Sequence, residues 1–392
     1  MVEKGHTIKM SSCPICKSSN LKTFLTRVSV PVHQNSICYD KKSAVELTRG
    51  DLDMTACENC GFVFNKAFDR SLLSYGANYN NTQIFSPFFE KYISELISYL
   101  LKDRAVENCN IVEIGCGKGF FIRRLVEEGS GTTGIGFDPS YVGLLEDLNG
   151  RLRFEKRFYG PDCTIIQPDV VICRHVIEHT PDLVNMITTI YNALVESPKA
   201  RIFFETPCVE WILKNNVLWD FFYEHCSLFT KSSLKVAFEL SGFKVINVHH
   251  TFGGQYLWLE ATPTKKSEVV LFNPGNIPNL AESFSKKERE LKESWIEKID
   301  TLKKEGKVAV WGAAAKGVTF LNLVDPKIER IDYVIDMNPK KQGMYVPGTG
   351  HEIISIKQIK TKGIKTIIVM NPNYVEEIRA SIENLNLRII WV

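Results

Sequence analysis

Apolar positions along this chain follow two alternating rhythms. Short apolar runs at 111–115, 133–137, 169–173 and 201–205 have the length of strands, and apolar residues at helical spacing fill 86–101, 119–128, 182–194 and 231–241. Strands alternating with helices predict a parallel sheet covered on both faces. Two later runs, 243–249 and 256–261, lack a helix between them and predict an antiparallel hairpin at the sheet edge. The stretch 263–279 holds Pro263, Pro274 and Pro278 with no period and reads as a linker. Phe284, Leu291, Trp295, Ile299 and Leu302 then recur at helical spacing within 281–305, which predicts an amphipathic helix with one packed face. From Lys307 a second strand–turn–helix series begins, with further strands at 331–335, 366–369 and 388–391. Residues 1–75 show neither rhythm and read as loop-rich. The expected organisation is a small N-terminal module over 1–75, an α/β domain over 76–262, a linker and helix over 263–305, and a smaller α/β domain over 306–392.

Composition narrows the class. The 392 residues are 44% hydrophobic and 24% charged, with a net charge of only +3. That balance is ordinary for a globular protein and argues against a nucleic-acid or membrane-surface partner. No apolar run approaches a membrane span, and the first residues lack an apolar signal core, so the expected location is the cytoplasm. The odd number of cysteines, 11, fits a reducing compartment better than a disulfide framework.

Candidate chemistry concentrates in four places. Glu113-Ile-Gly-Cys-Gly-Lys-Gly119 joins the first central strand to a helix. Gly115, Gly117 and Gly119 remove side chains that would hold a ligand off the backbone, and the following helix presents free N–H groups. Asp138 ends the next strand, where an acidic side chain can accept both hydroxyls of a ribose. An NAD-type turn is the alternative for this spacing. Cys13-Pro-Ile-Cys16 and Cys57-Glu-Asn-Cys60-Gly61 are spaced as two knuckles that grip one tetrahedral zinc ion in a structural role, with His33 and Cys38 between them as substitute ligands. Cys173 and His175 stand at the end of the strand expected to face the cofactor. The string His175-Val-Ile-Glu178-His179 also matches the inverted zinc-protease motif, but Pro181 favours a loop over the continuous helix which that motif needs. Phe222-Tyr223-Glu224-His225 gathers an acid, an imidazole and a phenol that suit acid–base work, or else a buried aromatic patch.

Together these strings resemble, over nearly the full length, the nucleotide-sugar C-methyltransferases of deoxysugar biosynthesis. The resemblance is carried by both cysteine pairs, Glu113–Gly119, His179-Thr-Pro-Asp182, Tyr223-Glu-His225, Trp311-Gly-Ala-Ala-Ala-Lys-Gly317, Asp336-Met-Asn-Pro-Lys-Lys-Gln-Gly343 and Pro347-Gly-Thr349. It implies a class I methyltransferase Rossmann-like sheet flanked by a zinc module and a second Rossmann-like α/β domain. It implies S-adenosylmethionine as cofactor and a nucleoside-diphosphate 4-keto-6-deoxy sugar as acceptor, handled by a monomer or homodimer. His225 would be the base and Glu224 its orienting partner. His179 and Tyr223 would stabilise the oxyanion or relay the proton, and Tyr79 would lie near the acceptor. Lys316 and Gly317 would meet a diphosphate, and Asn338, Lys340 and Gln342 the sugar or base. Phe222 stands where the family usually has its tyrosine, with Tyr223 one residue later. An O- or N-methyltransferase of another small metabolite is the alternative enzyme.

Overall fold

The structure, a computed structural model, describes residues 11–73, 85–265 and 270–391. Near the N-terminus the chain forms strands, not loops. Strand β1 (Leu21–Pro31) pairs antiparallel with β2 (Arg49–Cys57), which pairs with β3 (Val63–Asn65). Helix α1 (Lys41–Val45) sits in the long β1–β2 connection, capped by Asp40. Register shifts between Thr23 and Leu25 and between Arg27 and Val30 break the alternation of β1, which is why the sequence hides it.

The central strands follow the expected rhythm: β4 (Asn110–Ile114), β5 (Thr133–Phe137), β6 (Glu146–Asp147), β7 (Leu152–Glu155), β8 (Val170–Arg174), β9 (Arg201–Pro207), β10 (Ser227–Leu228), β11 (Phe243–Thr251) and β12 (Tyr256–Pro263). All but β10 form one sheet in the order β11-β12-β9-β8-β4-β5-β7-β6, with β12 antiparallel to both its neighbours. This is the class I methyltransferase arrangement. The strand order reverses at β4, so the crevice beyond the carboxyl ends of β4 and β8 is where a ligand belongs. Helices α2 (Pro87–Ser98), α3 (Phe120–Glu128), α4 (Leu183–Ala193), α5 (Val209–Lys214) and α6 (Lys231–Leu240) accompany the sheet. Strands β6 and β7 and helix α5 are too short to leave a periodic signal. Strand β10 leaves this sheet and adds to the N-terminal one, pairing Ser227 with Phe64 and Leu228 with Val63.

Helix α7 (Ile277–Glu305) starts earlier than the sequence rhythm predicts. Pro278 lies in its first turn, where a missing N–H costs nothing. Beyond it β13 (Lys307–Trp311), α8 (Ala315–Val324), β14 (Tyr333–Ile335), β15 (Ile353–Ile354), α9 (Ile359–Lys362), β16 (Ile364–Val369), α10 (Val375–Ser381) and β17 (Arg388–Trp391) complete the chain. Their strands form a wholly parallel sheet in the order β15-β14-β13-β16-β17.

The stretch read as linker and helix is in fact a pillar. Ile277, Ala281, Phe284, Ile299 and Leu302 of α7 share one buried core with Phe24 and Leu52, with Leu218 and Phe221, and with Val308 and Phe320. Phe284 is wholly buried and meets Phe24 and Phe221 edge-on at 6.1 and 5.2 Å. Arg27, also buried, donates to the carbonyls of Leu218 and Phe221 and pairs with Glu288 of α7 at 3.0 Å. Phe284→Ala should therefore cost about 3–5 kcal/mol. Urea unfolding followed separately by tryptophan fluorescence and by circular dichroism should show both transitions moving to lower denaturant together.

Candidate active site

The glycine turn after β4 has the geometry of a ligand cradle. A side chain at Gly115 would collide with Val176 and one at Gly119 with the ring of Phe154, whereas a Cβ at Gly117 would meet nothing within 4 Å. The packed side of the turn is therefore closed and its outer side open. Gly119 caps α3 with φ +76° and no side-chain partner, leaving the N–H groups of Phe120 and Phe121 for a ligand. Asp138, at the end of β5, accepts from the Gly117 N–H at 2.9 Å and from Ser140 at 2.7 Å, so the turn and the acid are locked to one another. Glu113 lies beneath, accepting from the Ile122 N–H at 3.2 Å. Burial pushes its carboxyl up to about 7, against the pull of Arg174 and the Ile122 amide. Cys173 is buried under the sheet end, where burial holds its thiol well above the usual range. These residues fit an adenosyl cofactor: an open backbone face, a helix N-terminus and an acid fixed beside the turn.

Beyond β8 the chain bends sharply and His175 adopts φ +54°, a costly conformation for a non-glycine residue. Two carboxylates hold it there, Glu178 at 3.3 Å from Nδ1 and Glu205 at 3.2 Å from Nε2. Burial opposes its charge, but the Glu205 and Glu178 carboxylates win and raise its pKa to about 9. Glu205 in turn is held down to about 2: burial is outweighed by Arg174, His175 and the Tyr92 hydroxyl. Arg174 Nε donates to Glu205 at 2.8 Å while its guanidinium stacks on Phe121 at 4.3 Å. His175 is thus a fixed cation at the cofactor end, with both nitrogens engaged.

A second imidazole pair lies alongside. His179 and His225 meet edge-on at 4.9 Å, and Glu178, His179 and His225 bring one ligand-type atom each within 4.8 Å of one another. Phe222 covers His225 at 4.1 Å. Burial, followed by the charges of His179, His175 and Lys316, pushes the His225 pKa well below its ordinary value. A neutral imidazole at neutral pH is the form that can accept a proton.

Glu224 and Tyr223 do not serve His225. Glu224 is fully buried on the opposite side of the segment, accepting from the Gln34 N–H at 3.0 Å and lying 3.6 Å from His33 Nδ1. The Tyr223 hydroxyl accepts from the Asp69 N–H at 2.8 Å and donates to the Asp69 carbonyl at 3.1 Å. Both residues are spent on holding the N-terminal module, because the chain turns at Tyr223-Glu224, where the His225 N–H donates to the Phe222 carbonyl at 3.2 Å. Tyr79 lies outside the described residues.

The cysteine pairs do converge. Cys13 Sγ lies 3.7 Å from Cys60 Sγ, Cys16 Sγ lies 3.5 Å from Cys57 Sγ, and all four lie within 4.8 Å of each other with no disulfide among them. Those edges match a tetrahedron of thiolates around one ion. Hydrogen bonds from Cys13 and Cys60, reinforced by the Cys60 and Asn59 amides, hold the Cys57 thiol well below its usual range. The same module reaches the imidazoles: the Asn65 N–H donates to the Cys226 carbonyl at 2.9 Å, next to the β3–β10 pairing.

In the C-terminal domain the expected ligand residues are partly committed elsewhere. Lys316 forms an ion pair with Asp220, Nζ lying 2.5 Å from Oδ1, and is no free phosphate ligand. Gly317 packs on the Gly312 carbonyl, which excludes any side chain there. Asn338 and Gln342 brace the turn after β14, Asn338 accepting from the Lys340 N–H at 3.0 Å and Gln342 donating to the Asp336 carbonyl at 2.9 Å. Lys340 is exposed and within electrostatic reach of Lys118 in the glycine turn. Glu178, Glu205, Asp220 and Tyr256 escaped the sequence reading as site residues. Only Glu178 carried a local signal, its spacing of three from His175.

Cys60→Ser deletes one vertex of the thiolate tetrahedron and should loosen the strand pairing that seats His225. Metal content should fall to background and turnover by about 100-fold, with cofactor affinity little changed, because the cradle lies elsewhere. Metal analysis, cofactor titration and turnover on one preparation check this.

Comparisons with known proteins agree with this geometry. Residues 85–248 match a family model described as a methyltransferase domain, and residues 276–388 one described as a C-methyltransferase C-terminal domain. The C-methyltransferase NovU of Streptomyces niveus is 28% identical over 94% of this chain and 91% of its own. A ubiquinone biosynthesis O-methyltransferase of Coxiella burnetii is 24% identical over 31% of this chain, which spans about half (51%) of that relative. Among solved structures, magnesium protoporphyrin IX methyltransferase from Synechocystis with bound S-adenosylhomocysteine aligns with 48% of this chain and 90% of its own, at 15% identity and a TM-score of 0.35. Among the described residues no helix is long and apolar enough to cross a membrane. The chain thus carries a methyltransferase domain followed by a C-methyltransferase C-terminal domain, and over nearly its full length it is similar to an S-adenosylmethionine-dependent C-methyltransferase.

Proposed function

We propose that this protein methylates a carbon of a nucleoside-diphosphate 4-keto-6-deoxy sugar in deoxysugar biosynthesis, with zinc held by Cys13, Cys16, Cys57 and Cys60. The observation that carries the reading is His225: a partly buried imidazole, edge-on to His179, whose pKa is pushed well below its ordinary value. Methylation of an oxygen or nitrogen would need no such environment for removing a proton from carbon. A C–H bond beside a carbonyl becomes acidic only as charge moves to oxygen, so base and positive surroundings must act together.

When bound, S-adenosylmethionine supplies a sulfonium methyl as electrophile and departs as a neutral thioether. His225 takes the proton from the carbon next to the keto group, and the electron pair of that C–H bond delocalises onto the carbonyl oxygen. His179 stands in contact to pass the proton on. The imidazolium of His175 and the ammonium of Lys316 supply positive charge to the same region. The enolate carbon then forms the new C–C bond as the S–CH3 bond breaks. Lys118 and Lys340, each without a carboxylate partner among the described residues, are the cations left to meet the diphosphate.

Incubated in D2O with a panel of keto-sugar nucleotides and no methyl donor, the enzyme should wash deuterium into the carbon it methylates. Absence of exchange in a substrate that is methylated would sink the carbanion route. His225→Ala should slow exchange and turnover by about 100- to 10,000-fold with cofactor affinity retained. Asp138→Ala should instead weaken cofactor binding by roughly 10- to 100-fold.

The charge around His225 makes a separate prediction. Lys316 disfavours the imidazolium, so Lys316→Met should raise the His225 pKa, and the Asp220 carboxylate left behind pushes the same way. The acidic limb of the kcat profile should move to higher pH, by roughly one unit. An unmoved or downward-shifted limb would remove His225 from the base role.

A further inference from the structure

With Tyr223 tied to the Asp69 backbone, the enolate oxygen lacks the phenolic donor that the sequence suggested. We propose that Tyr256 supplies it, its hydroxyl donating to the acceptor carbonyl as that oxygen becomes negative. The proposal rests on the C-methylation reading above.

Tyr256 opens β12, the antiparallel strand beside β9, opposite Pro207 and just past the Glu205 position. Its ring is held from two sides. It stacks on Phe252 at 4.7 Å with 5° between planes, and His175 meets it edge-on at 4.5 Å. Phe252 is itself wedged against Phe88 and Phe89 from α2 and against Tyr374 from the C-terminal domain. A ring fixed in this way loses little entropy when its hydroxyl engages a ligand.

The Tyr256 hydroxyl makes no hydrogen bond among the described residues, whereas other tyrosines, the adjacent Tyr92 included, are committed. Tyr92 donates to Glu205, Tyr99 to Glu260, Tyr141 to the Leu144 carbonyl and Tyr191 to the Thr264 carbonyl. The Tyr256 ring is only partly exposed. A half-buried phenol without a partner is a donor waiting for one.

Its position connects it to the base. The His175 ring that touches Tyr256 is held by Glu178, and the Glu178 carboxylate is within 4.8 Å of the His179 and His225 nitrogens. Phenol, imidazolium, carboxylate and the two further imidazoles thus form one chain of contacts. His175 lies between the Glu178 and Glu205 carboxylates and contributes its charge, and Tyr256 adds a hydroxyl donor beside it. Burial first, then Tyr374, Glu205, Tyr92 and Asp220, keep the Tyr256 phenol protonated well above its ordinary range. It is therefore a hydrogen-bond donor throughout the working pH range and not a competing base.

Tyr256→Phe keeps the ring and removes only the oxygen, so the aromatic wall should survive. The test compares wild type, Tyr256→Phe and Tyr223→Phe for deuterium exchange into nucleoside-diphosphate 4-keto-6-deoxyhexoses, for kcat and KM, for S-adenosylmethionine affinity and for melting temperature. Loss of one oxyanion donor predicts that exchange and kcat both fall by about 100- to 1,000-fold in Tyr256→Phe, with KM, cofactor affinity and melting near wild type. Tyr223→Phe should melt earlier and still exchange. If wild type exchanges and Tyr256→Phe does so within a few-fold, or loses only KM, the role assigned to Tyr256 is wrong while the enolate reading stands. If wild type methylates the sugar without any exchange, the enolate reading fails and this inference fails with it.

Discussion

The pairing of β3 with β10 is the contact on which the site depends. It is only two residues long, Ser227 on Phe64 and Leu228 on Val63, yet it joins the thiolate-bearing module to the residues that follow His225. Without it the segment Val217–Phe229 would be a loop between sheets. With it, Phe221 and Tyr223 enter the core shared with α7, Glu224 seals against Gln34, and His225 alone is left facing His179. An isolated pair this short has no stability of its own. It persists because Phe62 and Phe64 stack beside the cysteine cluster and Phe229 packs on Phe62 at 5.2 Å. The four-thiolate cluster and the aromatic stack beside it thus support the pairing that seats His225.

The same dependence explains why the parts cannot be treated as beads on a string. Helix α7 buries one face against all three sheets' neighbours, and Gln255 and Asn371 exchange paired amide hydrogen bonds at 2.9 and 3.0 Å between the central and C-terminal domains. Glu377 of α10 accepts from Ser86 and from the Phe88 N–H, so the C-terminal domain caps α2. Asp220 and Lys316 complete the seam a short distance from His225. Holding four bodies in register fixes an imidazole, a carboxylate network and a glycine cradle to the tolerance that transfer between two bound molecules requires.

What could be read from the sequence was whatever is local. The glycine turn with Asp138, the two cysteine pairs and the strand–helix alternation each depend on spacing within a few residues, and the structure places them as that spacing suggests. What could not be read was which way a side chain faces on irregular backbone, or what strands bring together from afar. Tyr223, Glu224 and His225 are consecutive, but they serve the Asp69 backbone, the Gln34 amide and His179 respectively. Lys316 has the look of a phosphate ligand only while Asp220 is invisible. Glu205 and Tyr256 lie far apart in sequence and both meet His175 only because β12 pairs with β9. The prolines that suggested a linker misled for a simpler reason, since Pro278 occupies the one helical turn that tolerates it.

The two parallel sheets invite a last comparison. In each, an acid at the end of the second strand accepts from a backbone N–H of the turn after the first: Asp138 from Gly117 at 2.9 Å, Asp336 from Ala313 at 2.8 Å. The turns then diverge. The first keeps Gly117 open. In the second, buried Lys341 donates to the Ala313 carbonyl at 2.7 Å, and burial, only partly offset by Asp336, lowers its pKa. A buried cation satisfied by its own turn does there what a bound ligand would otherwise do. The second domain therefore has the outline of a nucleotide fold with its cradle filled from within. Whatever it offers a substrate must come from its rim, where Lys340 faces Lys118 across from the open cradle. Under the proposed reaction, the anionic end of the acceptor lies between the two domains and its reacting end toward His225.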